Sequence, residues 1–67
     1  MNYNLITYRK MLRFTQTAMS KELGIGLATY YKKETGINEF TLKEIKKILE
    51  VFKEARMDLS FEQVFGN

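Results

Sequence analysis

From Leu5 to Phe65, apolar residues recur at steps of three and four, and no stretch alternates with the β-branched enrichment of a strand. That period belongs to the α-helix. With no Pro and only four Gly in 67 residues, little interrupts it. The expectation is an all-α chain of four to five short helices. A chain of this length buries only ~60% of its unfolded surface, so residues 1–67 are read as one domain with one modest core. His and Cys are both absent, which removes disulfides, thiolate nucleophiles, imidazole bases and the usual zinc ligands together. Carboxylates such as Glu22, Glu34, Glu39 and Glu44 are scattered, and no Gly-rich phosphate loop accompanies them. Neither an enzyme, a metal site, a cofactor nor a small-molecule substrate is expected. No uncharged stretch approaches the ~20 apolar residues of a membrane span, and the N-terminus does not read as a secretory leader. A cytoplasmic protein without a membrane partner is the expectation.

The elements follow from periodicity and capping residues. Leu5, Tyr8, Met11 and Leu12 make one apolar face, which places a first helix over 5–13 with Asn4 as its N-cap. Thr15 can cap a second helix over 16–23, with Phe14 stapled to Met19 and Gly24 ending it in the left-handed conformation. A third helix fits 27–34, closed by Gly36, with Tyr30 inward and Ile25 and Ile37 packing at its ends. Thr41-Leu42-Lys43-Glu44 is a capping box that opens a fourth helix, flanked by the staple pair Phe40 and Ile45. Its apolar stripe is Leu42, Ile45, Leu49 and Phe52, beside Ile48 and Val51. Ser60-Phe61-Glu62-Gln63 is a second capping box, before a short turn that carries Val64 and Phe65. Residues 53–58 read equally as helix or loop.

The spacing within 16–35 is the most specific feature. Counted from Gln16, the fourth, eighth, tenth and fifteenth residues are apolar (Met19, Leu23, Ile25, Tyr30), the fifth is small (Ser20) and the ninth is Gly24. A small fifth residue lets two helices cross closely, Gly permits a tight turn, and the apolar positions anchor both helices to the body. This pattern resembles the phage-repressor/Cro-like (lambda-repressor-like) helix-turn-helix family. Thr15-Gln16, then Ser20-Lys21-Glu22-Leu23-Gly24-Ile25, is similar to the family's Thr-Gln-x-x-x-small-x-x-Leu-Gly-Val run. Tyr30 to Gly36 is similar to its apolar-x-x-x-Glu-x-Gly close, and Asp58 to Phe65 to its usual tail. The resemblance runs over about 5–65.

What the resemblance implies is a DNA-binding transcriptional regulator of phage or mobile-element type, whose third helix enters the major groove of an operator. Its base-facing residues would be Gly26, Leu27, Ala28, Tyr31, Lys32 and Thr35. Gln16, Thr15, Asn38 and Lys43 would meet phosphates, and Arg9 and Glu34 would form a structural ion pair. Lys33 departs from the family's apolar preference and is expected to run its stem over the core. Glu39 stands where many relatives carry a cation.

Eleven basic and eight acidic residues leave a net charge of +3, compatible with a polyanion. One short helix buries too little for high specificity, so two copies on a pseudo-palindrome are expected. Met57, Leu59, Phe61 and Phe65 are the candidate dimer residues, or else they complete the core. The rival reading is a protein-binding helix-turn-helix module, antirepressor or antitoxin-like, that masks a partner repressor. Leu27, Ala28 and Glu39 favour it, because an apolar tip and an acidic loop suit a protein partner.

Overall fold

In a computed structural model, which describes residues 1–66, the chain folds as five helices with no strand among those residues. They are α1 (Tyr3–Met11), α2 (Gln16–Leu23), α3 (Leu27–Glu34), α4 (Leu42–Glu54) and α5 (Phe61–Phe65). Each helix sends at least one residue into a shared core: Leu5, Met19, Tyr30, Val64, and from α4 Ile48, Val51 and Phe52. Helices of eight or nine residues are marginal in isolation, so this common core holds α1, α2 and α3 in place. An aromatic chain extends it outward. Tyr30 meets Phe40 edge-on at 5.8 Å, Phe40 meets Phe65 likewise at 5.8 Å, and Phe61 stacks on Phe65 at 5.5 Å.

α2, α3 and the two capping boxes lie where the spacing places them. The Thr15 hydroxyl accepts from the Ala18 N–H at 3.0 Å, and Gly24 takes φ 68°, ψ 30°. The Gly24 N–H donates to the Lys21 carbonyl and the Ile25 N–H to that of Ser20, the paired bonds that close a helix through a left-handed residue. At α4 the Glu44 N–H donates to the Thr41 hydroxyl while Glu44 accepts from the Thr41 N–H. Ser60 and Gln63 exchange the same two bonds at α5.

Several expectations are corrected. α1 begins at Tyr3, not Leu5, and its N-cap is Asn2 rather than Asn4. The cause is tertiary: the Asn2 N–H donates to the Glu34 carbonyl at 3.0 Å and its side-chain amide to that of Lys33 at 2.9 Å. The end of α3 thereby fixes where α1 starts. At its other end α1 stops at Met11, because Arg13 adopts φ 62° and the Phe14 N–H turns back to the Arg9 carbonyl. Met11 is exposed rather than part of the apolar face. Ile37 is exposed too, since the chain turns away at Gly36 with φ 91°. Leu42 is also exposed. At 3.6 residues per turn it sits roughly 120° around α4 from the centre of the Ile48, Val51 and Phe52 arc.

The segment over 53–58 divides. α4 continues to Glu54, and then Arg56, at φ 68°, closes it with bonds from Arg56 and Met57 back to the Lys53 and Phe52 carbonyls. Leu59 and Phe65 pack against the core, Met57 is half-buried, and Phe61 is 53% exposed. Among the described residues no helix is long and apolar enough to cross a membrane.

Candidate nucleic-acid interface

α2 and α3 are joined by Gly24, Ile25 and Gly26, and the turn leaves one face of α3 free. The inner face is set by Tyr30 and Glu34, four residues apart and both buried. The outer face carries Ala28 and Lys32, also four apart, between Thr29 and Tyr31, and all four are exposed. Leu27, at the tip, is 48% exposed, and Tyr31 is 50% exposed. Gly26 precedes the tip at φ −69°, ψ 156°, with no side chain to cap the helix. Thr35 is half-buried at the far end, and its hydroxyl donates back to the Tyr31 carbonyl at 2.8 Å.

The inner face is anchored by a polar cluster. Arg9 Nε donates to Glu34 Oε2 at 2.9 Å and Nη2 to Oε1 at 3.1 Å, a two-pronged ion pair between α1 and α3. The remaining Arg9 nitrogen, Nη1, donates to the Phe14 carbonyl at 2.8 Å. Tyr30 Oη donates to Glu34 Oε2 at 2.6 Å, and Gln16 Nε2 donates to Oε1 at 3.0 Å. Each carboxylate oxygen thus accepts two bonds. Burial, and then the bond to Glu34, push the Tyr30 hydroxyl far above its ordinary range, so it keeps the proton it donates. Among the described residues no buried side-chain nitrogen or oxygen lacks a partner. α3 is therefore held rigidly along the side opposite its exposed face.

The other candidate residues fall around this helix. Gln16 opens α2 half-buried, with one amide hydrogen committed to Glu34 and the second still able to donate. Thr15, beside it, is exposed, its oxygen engaged in capping α2. Asn38 and Lys43 are exposed beyond the end of α3, and the Asn38 N–H closes the turn onto the Lys32 carbonyl at 3.1 Å.

A helix-turn-helix family model matches residues 5–59, which span α1 through the segment before α5. The chain belongs to the lambda-repressor-like helix-turn-helix family. No curated protein and no solved structure matches it. The helix-turn-helix family is one of DNA-binding regulators, typically without enzymatic activity.

Two partnerships within this helix-turn-helix go beyond the family resemblance, which pairs Arg9 with Glu34 but not Gln16 or Tyr30 with the same carboxylate. The Tyr30–Glu34 spacing of four was a usable signal, whereas Gln16 meets Glu34 only through the crossing of α2 and α3. The Lys33 side chain is largely buried, and its Nζ reaches Glu44 Oε1 at 2.6 Å and Oε2 at 2.8 Å. Partial burial pushes the Glu44 carboxyl up, but bonds from Lys33 and Thr41 outweigh it and hold the carboxyl below its ordinary value. Lys33 thereby fastens α3 to the start of α4 and is withdrawn from the exposed face, which leaves Lys32 as the free cation of that helix.

Proposed function

We propose that the protein is a sequence-specific transcriptional regulator of phage or mobile-element type that lays α3 in the major groove of operator DNA. One observation carries this reading: Ala28 and Lys32, flanked by the exposed Thr29 and Tyr31, stand free on the face opposite the buried Tyr30 and Glu34. Gly26, Leu27, Ala28, Tyr31, Lys32 and Thr35 face the bases in this arrangement. Gln16 and Thr15 at the start of α2, with Asn38 and Lys43 beyond α3, meet the phosphates on either side. The mechanism is steric, the bound protein occupying a promoter segment against polymerase or a competing regulator. Two copies on half-sites about one helical turn apart supply the specificity that one short helix lacks. Phe61, stacked outward on Phe65 beside the half-buried Met57 and Leu59, supports a contact between copies at this end.

The test is a gel shift against the DNA flanking the protein's own gene. A shift is expected, and both Lys32→Ala and Gln16→Ala weaken it while the melting temperature shows how far folding is affected. A second reading, a module that masks a partner repressor, is favoured by the exposed Leu27 and by Glu39 in the connection after α3. It predicts no shift alone, and loss of the neighbouring regulator's shift when the protein is added. In that case Leu27→Asp abolishes the protein complex.

A further inference from the structure

Hydrogen-bond readout of bases draws on Arg, Lys, Asn, Gln, Glu, Asp, Ser or Thr. The tip of α3, Gly26-Leu27-Ala28, holds none of them. Further along, Thr29, Tyr31 and Lys32 stay exposed, and the other polar side chains are committed elsewhere. Glu34 is buried under Arg9, Lys33 is held by Glu44, and the Thr35 hydroxyl donates to its own helix. At the tip itself the exposed groups are the Leu27 side chain and the Ala28 methyl, one turn before Lys32.

Gly26 sharpens the point. Its φ of −69° and ψ of 156° suit any residue, and an added Cβ would meet nothing within 4 Å. Neither backbone strain nor internal packing requires glycine there, and Ser, Asp or Asn would cap α3 somewhat better. Glycine does keep the helix tip narrow, and Ala28 on the outer face keeps it shallow. Both let the backbone come close to a groove floor. In the major groove the apolar feature of a base edge is the C5 methyl of thymine.

We infer that the tip of α3 selects its operator by thymine methyl groups, which pack against Leu27 and Ala28, with Gly26 permitting the close approach. This rests on the operator-binding reading above and assigns the base chemistry that the same face recognises. Lys32, one turn on, anchors the helix to the adjacent guanine or phosphate.

The experiment selects duplexes from a randomised library with the full chain. The enriched duplex is then resynthesised with deoxyuridine replacing each thymidine in turn, which deletes the methyl alone. The expected result is at least one position per half-site where the replacement weakens binding about fourfold, the effect of one buried carbon. Leu27→Ala should reduce that sensitivity at one position or more, and its unchanged melting temperature would show that the fold is intact. An enriched duplex indifferent to deoxyuridine everywhere would overturn the methyl readout while leaving operator binding standing. Failure to enrich any duplex would overturn both, and would point to the tip as a protein-docking surface.

Discussion

The Glu34 carboxylate accepts from Arg9, Gln16 and Tyr30, so its neighbours depend on it unequally. Arg9 depends most, because its guanidinium is buried and has only the Phe14 carbonyl besides Glu34. Removing one partner of such a pair costs about 3–5 kcal/mol, mostly the penalty of the charge left behind. Domains of this size have roughly 3–10 kcal/mol of stability in all. Glu34→Gln should therefore remove a large share of that stability, read as a lower melting temperature by circular dichroism and a lower urea midpoint. Gln16→Ala removes one partly buried bond and should cost about 1–2 kcal/mol. If both substitutions proved equally mild, the cluster would not be what holds α3. The Arg9–Glu34 pairing is legible in the residues through family resemblance. The participation of Gln16 is not, because a half-buried amide at a helix start carries no mark of its partner across the turn.

Helix ends are where these elements were most and least legible. Thr15, Thr41 and Ser60 announce their helices because a capping hydroxyl is a local device, three residues from its partner. Gly24 announces an end for the same local reason. Arg13 and Arg56 do not, although both take the left-handed conformation that a side chain disfavours by about 1–2 kcal/mol. Packing imposes those two turns. Arg56→Gly should accordingly raise stability by about 0.5–1 kcal/mol, read from the urea midpoint at constant slope.

The start of α4 also predicts a pH dependence. Because the Glu44 carboxyl is held below its ordinary value of 4.5, its contribution is complete above that pH and is lost as pH falls through the lowered value. Glu44→Gln keeps an acceptor for the Thr41 N–H but not the charge facing Lys33. The melting temperature of this variant should fall at neutral pH and approach that of the parent chain in acid. Parallel melting curves at every pH would refute the assignment.

At the scale of the whole molecule, the body measures 27 × 22 × 20 Å, shorter than the ~34 Å of one DNA turn, so one copy reaches one half-site. Of the residues proposed to face DNA, only Lys32 and Lys43 carry charge, and Glu39 lies between them in the chain. At about −0.9 per phosphate neutralised, the logarithmic salt slope should be near −2 per copy and near −4 for two. Fluorescence anisotropy across a salt series measures it. A slope near zero would leave no place for phosphates in binding.

The residues by themselves determined the five helices, the Gly24 turn and the family, since periodicity, caps and a left-handed glycine act within a few positions of one another. Only the tertiary structure decided that α1 begins at Tyr3, that Lys33 is spent on Glu44, and that Leu42, Ile37 and Met11 stay outside the core. Each of those outcomes depends on which side of a helix meets a neighbour distant in the chain. Where many polar and apolar side chains compete for a small core, that geometry is settled only when all the helices pack at once.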